Sequence, residues 1–326
     1  MTIHLRAAFM PNPRVAPLLD GTVQPRGVEL TWTTGDAGDL HEHHLRHGDF
    51  DVFEFSISNY LVTRDRPREL WDWVMIPVYA SKATLGINTW VNVDAGIETG
   101  ADLRGKRFGI PDYTMTAGLW MRAQMAALWG IAPQDLEWVV GRQGDQSHAR
   151  QLGFGEEPPV GVTLSWSDPA GLDRRLQAGD IHAAFPALDV PLDTESGRLR
   201  RLFPDRGRAF FGDFHAKVGF LPVNHVVLVR RSLVEAHPWL PESLLEAFES
   251  AKQEAYRRDR SAAGVFRGGN DDMGKQVELF GDDPFPYGLT ANKAMLDMAA
   301  GQSRLDGLTR QVWDLSSFVA DSVRDS

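Results

Sequence analysis

One pattern occurs twice in this chain. Leu45-Arg46-His47-Gly48-Asp49-Phe50-Asp51-Val52 and Leu176-Gln177-Ala178-Gly179-Asp180-Ile181-His182-Ala183 each read as a helix end, a Gly-Asp turn and a buried strand. Each follows a strand that stops at proline, near Pro11 and near Pro111. Two copies are too few for a solenoid. The pattern therefore predicts two similar α/β lobes, which suits a chain of 326 residues better than one core does.

The remaining elements fit that frame. Ile3–Met10, Phe50–Phe55, Arg107–Ile110 and Ile181–Phe185 read as strands. Asp39–His47, Thr114–Trp129, Leu172–Ala178, Ser232–Tyr256 and Ala291–Ser326 read as mainly helical. Ala83–Val93 and Val218–Val229 read as long strands crossing between the lobes, and Gly155–Pro169 as an exposed loop. The expected first lobe is then residues 1–85 with 226–326, and the second is 86–225. Parallel α/β sheets hold ligands beyond the carboxyl ends of their strands, at switch points. The expected site is a cleft between the lobes, lined by the turns after residues 9, 55, 79, 111 and 185 and by 222–225.

Bulk properties narrow the function classes. A net charge of −10 offers no basic stripe for nucleic acid and no attraction to anionic membranes. No segment approaches the ~20 apolar residues of a membrane span. With no cysteine there is no disulfide, thiolate catalysis or zinc–thiolate site. His4, Arg6, Pro11 and Arg14 interrupt the apolar start, unlike a signal peptide, so the cytoplasm is the expected location with Met1 as the native start. The motifs of nucleotide loops, zinc proteases and α/β-hydrolases are absent.

Several strand ends carry polar groups suited to a small ligand. Glu54, Ser56, Ser58 and Asn59 follow the strand at 50–55, although either serine also suits a helix cap. Tyr113, Thr114 and Thr116 stand where a strand meets a helix start, an arrangement that attracts a carboxylate. Asn224 and His225 enter the expected cleft at a crossover, where a histidine could serve as a proton donor. Tyr79, Arg14 and Lys82 complete the expected substrate-binding set, the two cations because they match an acidic ligand. His43 and His47 lie four apart on one helical face, but no third ligand is evident. A solvated outer face is expected for the cluster His41, His43, His44 and His47, and no metal is expected.

Taken together, several stretches resemble the 4,5-dihydroxyphthalate decarboxylase family. They are Gly48–Ser56, Ile76-Pro77-Val78-Tyr79, Ala101–Pro111 with Thr116–Arg122, Pro222-Val223-Asn224-His225-Val226-Val227, His237-Pro238-Trp239, and Phe280–Leu289 with Asn292. The resemblance implies a two-lobed type II periplasmic-binding-protein-like fold with its ligand cleft between the lobes. It also implies a cytoplasmic carboxy-lyase acting on a hydroxylated aromatic acid without a cofactor. His225 would be the acid that protonates the ring, with Glu54 as the alternative. Where the family tends to carry arginine and histidine after Pro-Val-Tyr, this chain has Ser81-Lys82, so Lys82 would replace a carboxylate contact or the contact is missing. The partner expected is a small aromatic carboxylate, and a homo-oligomer is left open. A non-catalytic binding protein, or a related cytoplasmic enzyme such as those of the futalosine menaquinone route, is the alternative.

Overall fold

The computed structural model describes residues 2–65, 71–142, 147–152, 158–167, 169–185, 195–265 and 271–326. Its strands, in chain order, are β1 (Ile3–Phe9), β2 (Val28–Thr34), β3 (Val52–Ser56), β4 (Trp73–Lys82), β5 (Trp90–Asn92) and β6 (Arg107–Ile110). They continue with β7 (Glu137–Val140), β8 (Thr163–Trp166), β9 (Ala183–Ala184), β10 (Leu199–Arg201) and β11 (Val223–Arg230). The chain divides into two compact units. One is Met1–Thr84 with Phe220–Asp297 and Trp313–Ser326, and the other is Leu85–Gly219 with Met298–Val312. Against the expected lobes, residues 220–225 fall in the first unit, and residues 85 and 298–312 in the second.

The first unit holds a five-stranded sheet in the order β2-β1-β3-β11-β4. β1 pairs in parallel with β2 and β3, while β11 runs antiparallel between β3 and β4. The second unit holds six strands in the order β10-β5-β9-β6-β7-β8. Its β7, β6 and β9 are parallel, and β5 is antiparallel to β9. The run β2-β1-β3-β11 therefore has the same directions as β7-β6-β9-β5, which is the structural form of the sequence echo. Both Gly-Asp joints start a strand that pairs in parallel with its unit's earlier strand.

Sequence and packing agree at the cores. Every residue of β3 and β4 is buried, as expected for strands covered on both faces. In the second unit Val139, Leu172, Leu176, Ile181, Ala184 and Leu199 form one apolar cluster. Each large aliphatic side chain there contributes about 1.5–3 kcal/mol on leaving water.

Three expectations for single elements fail for local reasons. The run 83–93 is not one strand, because Gly86 turns the chain at φ 91° and Thr89 Oγ1 donates to Gly86 O at 2.7 Å. The run 218–229 is divided by Gly219 at φ 74°, which ends the helix Arg208–Val218 before β11 begins. Within 155–169, residues 163–166 form β8 against β7, while 155–157 and 168 lie outside the described residues.

Pro77 lies inside β4, and its place follows from the missing N–H. β4 is the edge of its sheet, where an absent ladder donor costs little. The pairing of β4 with β11 is irregular at this point. From His225↔Ser81 to Val227↔Ile76, a step of two residues on β11 (227 − 225) spans five on β4 (81 − 76). The freed carbonyls find partners from elsewhere in the unit, Pro77 O accepting from Gly288 N at 2.8 Å. Bulges of this kind often re-aim side chains next to a working site.

Both Gly-Asp turns need a left-handed backbone, with φ 62° at Gly48 and φ 83° at Gly179. A Cβ would meet nothing within 4 Å at Gly48, and at Gly179 only the Asn92 side chain at ordinary contact distance, 3.7 Å from its Nδ2. The strain at each is therefore the backbone's alone. Gly48→Ala and Gly179→Ala should each lower stability by ~1–2 kcal/mol in denaturant unfolding. No change in either midpoint would show that the turns tolerate another conformation.

Candidate active site

Strand pairing brings together two buried titratable side chains of the first unit, Glu54 and His225. Opposed residues in an antiparallel pair share a face, and alternate residues along a strand do too. β11 pairs with β3 so that Val227 faces Glu54 and His225 faces Ser56. Glu54 and His225 are thus diagonal neighbours on one face. His225 Nδ1 lies 2.8 Å from Glu54 Oε1, although the two are 171 residues apart in sequence. Exposure is 6% for His225 and 5% for Glu54, so the pair is removed from bulk water. Ser81 of β4 faces His225 from the other side.

The carboxylate of Glu54 is doubly held. Its Oε2 accepts from the Met10 N–H at 3.2 Å, at the end of β1. Its backbone oxygen is 2.9 Å from His41 Nε2, and since a carbonyl can only accept, that nitrogen carries a proton. The His41 ring meets the His225 ring edge-on, with centroids 5.0 Å apart. With its carboxylate accepting from Nδ1–H, His225 is left with Nε2 for chemistry. That atom accepts when the ring is neutral and donates when it is an imidazolium. Removing one member of such a buried pair typically costs about 3–5 kcal/mol.

The other expected residues of the first unit are placed as follows. Ser56 Oγ caps the helix Ile57–Thr63 by accepting from Asn59 N at 3.2 Å. Ser58 Oγ, Asn59 Oδ1 and the Tyr79 hydroxyl are buried with no hydrogen-bond partner among the described residues. Burial pushes the Tyr79 hydroxyl well above the usual phenol range. Arg14 lies over the Phe285 ring at 3.7 Å, and donates from Nε to Ala80 O at 2.9 Å and from Nη1 to Ala262 O at 2.7 Å. Lys82 Nζ donates to Asn292 Oδ1 at 2.6 Å, and burial lowers its ammonium to about 7. Asn224 is half-buried where the pairing of β11 with β4 shifts.

Tyr113, Thr114 and Thr116 belong to the second unit. Thr114 donates from N and Oγ1 to Asp112 Oδ1 at 3.0 and 2.9 Å, and Ser147 Oγ donates to Asp112 Oδ2 at 3.2 Å. This strand end already holds a carboxylate of its own chain, which the expectation of an incoming anion at Thr114 overlooked. The Tyr113 hydroxyl donates to Asp306 O at 3.2 Å, and its ring lies 4.2 Å from the Arg122 guanidinium. Arg122 in turn pairs with Asp306 at 2.7 Å in a fully buried ion pair. Thr116 is buried as the first residue of the helix Thr116–Trp129.

The histidine cluster is a solvated face only at His43 and His47. His41 and His44 are buried with Leu40 on the inner side of the helix Ala37–His47, while His43 meets Asp49 at 3.1 Å near the surface. The 40, 41, 44 spacing was the available signal, hidden because histidine is polar in any hydropathy count. Among the described residues no group of three or more His, Asp or Glu is arranged to hold a metal ion. No helix among them is long and apolar enough to cross a membrane.

His44 packs against Phe53 at 3.9 Å between ring centroids and against Trp73 at 4.8 Å. Burial holds its pKa near about 3, down from 6.5. The unfolded chain therefore binds a proton that the folded chain refuses between those values. Stability should fall as pH drops through that window, by up to about 1.4 kcal/mol per pH unit from this group. His44→Phe should flatten the loss between pH ~6 and ~4 by one proton's worth in urea titrations. Equal slopes for variant and parent would acquit His44.

Comparison with known proteins agrees with the resemblance. No family model matches the chain. A curated relative, the 4,5-dihydroxyphthalate decarboxylase of Comamonas testosteroni, is 30% identical over 313 residues, covering 94% of this chain and 93% of the relative. The periplasmic aliphatic sulphonate binding protein SsuA from Escherichia coli superposes with a TM-score of 0.52 at 14% identity, covering 99% of both chains. A Candida albicans protein described as having the generic periplasmic binding protein fold superposes with a TM-score of 0.53 at 11% identity, covering 96% of this chain and 92% of its own. At such identities these structures speak for the fold alone, which is that of the periplasmic binding proteins. Identity at this level over nearly the full length of both sequences shows that the chain belongs to the 4,5-dihydroxyphthalate decarboxylase family.

Proposed function

We propose that this chain is a carboxy-lyase that removes carbon dioxide from a hydroxylated, phthalate-like aromatic acid, with His225 as the proton donor. The observation that carries the assignment is the buried pair of His225 Nδ1 and Glu54 Oε1 at 2.8 Å. Both oxygens of Glu54 accept hydrogen bonds, one from His225 and one from Met10 N. A carboxylate so engaged is suited to orienting and stabilising an imidazolium rather than to giving up a proton itself. Glu54 is thus a positioning residue, and the donor is Nε2–H of His225.

The chemistry needs no more than an acid and an electron-rich ring. A ring hydroxyl para to the departing carboxylate pushes electron density onto the carbon that bears it. The imidazolium delivers its proton to that carbon, which forms the C–H bond and interrupts aromaticity. The C–C bond to the carboxylate then breaks, its electron pair returns to the ring, and carbon dioxide leaves. His225 regains a proton from solvent, so each turnover consumes one. Contacts that held the departing carboxylate too tightly would slow the reaction, because its charge flows into the ring in the transition state and only interactions strengthening there accelerate it.

A screen of hydroxylated aromatic mono- and dicarboxylates for carbon dioxide release tests the activity. Tight binding of such acids without release would make the chain a binding protein instead. For the assignment of roles, His225→Ala should lower turnover by ~10²–10⁴ while changing the affinity for 3,4-dihydroxybenzoate far less. Near-normal turnover in His225→Ala with none in Glu54→Gln would transfer the acid to Glu54. Retained turnover in both would refute the mechanism.

A further inference from the structure

Among the described residues two lysines are buried in the first unit, and their surroundings differ in one respect. Lys252 is 1% exposed, and its Nζ meets Asp283 Oδ2 at 2.7 Å, Glu249 Oε2 at 2.9 Å and Phe285 O at 3.0 Å. Its charge is matched within the chain. Lys82 is 7% exposed, and the hydrogen bond recorded for its Nζ goes to a neutral amide, Asn292 Oδ1 at 2.6 Å. Among the described residues no carboxylate lies within ion-pair distance of Lys82 Nζ.

The amide is fixed so as to face the lysine. Asn292 Nδ2 donates to Pro286 O at 2.9 Å and to Gly288 O at 2.8 Å, which leaves Oδ1 turned toward Nζ. Tyr79 places its ring 5.7 Å from Nζ. The charges that reach Lys82 are Asp283, already held by Lys252 and by the Tyr256 hydroxyl at 2.9 Å, and Lys252 itself, which opposes a second positive charge. Burying a cation without an anion is costly, and the group responds by releasing its proton. A lysine held by an oriented amide, with no internal counter-charge, has a place for an anion supplied from outside.

We propose that Lys82 binds the carboxylate that stays on the aromatic ring and supplies its counter-charge. This rests on the reading of the chain as a decarboxylase of phthalate-like acids and deepens it, by assigning the group that holds the acid remaining on the ring. Asn292 is a positioning residue for Lys82. Burial already brings the free amine to about 7, so an arriving carboxylate recruits a proton to it. Binding should therefore be accompanied by proton uptake, approaching about one proton at pH ~8 and falling toward none at pH ~6.

The test is calorimetric titration of the full chain with 3,4-dihydroxybenzoate, in buffers of different ionisation enthalpy. Catechol, which has the same hydroxyls and no carboxylate, is the control. The parent protein should take up a proton with the acid at pH ~8 and not with catechol. Lys82→Gln should weaken the acid by roughly 10- to 100-fold and abolish uptake. Lys82→Arg, permanently charged, should recover much of the affinity without uptake, an outcome that a packing role for the side chain would not produce. Undiminished uptake in Lys82→Gln, or equal uptake with catechol, would overturn the proposal. Carbon dioxide release is measured separately: release without lysine-dependent uptake leaves the decarboxylase reading and removes this one, and lysine-dependent uptake without release does the reverse.

Discussion

The first unit depends on β11 lying antiparallel between β3 and β4. That placement sets the register in which His225 stands across from Ser56 and diagonal to Glu54. A slip of one residue would turn His225 to the opposite face and bury Val226 against the carboxylate. The apolar run Val226–Val229, buried on both faces, fixes the register because its slipped alternatives would carry Asn224 or Arg230 inward. The geometry of the dyad is thus held by hydrophobic packing along the rest of the strand.

Buried charge is handled differently in the two units. In the second, Arg122 and Asp306 neutralise one another, with Gln302 Nε2 donating to the other aspartate oxygen at 2.6 Å. Such a pair is closed, and it resembles the structural lysine of the first unit. Around β4 the polar groups are less fully matched: Arg14 is held by backbone carbonyls, Lys82 by an amide, and the Tyr79 hydroxyl by no described partner. Incomplete matching in a protein interior is costly, and it is tolerated where a ligand completes the set.

Much of this could be read from the residues, and the parts that could not share a cause. The Gly-Asp joints were legible because glycine at a left-handed turn is a local requirement. Glu54 and His225 were legible because each interrupts an apolar strand. Their direct contact was not, since register between strands 171 residues apart depends on the whole sheet. A turn after residue 79 was expected but the full strand β4 was not set out, and only its edge position makes Pro77 acceptable within it. The burial of His41 and His44 was hidden by their polarity. The contrast between Lys82 and Lys252 was equally hidden, because their neighbours come from distant segments. The packing of 298–312 with the second unit is a tertiary outcome with no local signature.

The order of strands along the chain has a consequence for how the protein is made. The six strands of the second sheet have all been synthesised by Arg201, whereas the first sheet must wait for Val223–Arg230. Until those residues leave the ribosome, β3 and β4 present open edges toward each other, and Glu54 has no histidine to hold. Open, apolar strand edges are templates for wrong pairing. Between the synthesis of β3 and that of β11, then, the growing chain carries the Glu54 carboxylate on an unsealed sheet while a later-encoded sheet can already close. The segment that carries His225 is also the one that closes these edges, so the sealing of the first sheet and the pairing of His225 with Glu54 are the same event.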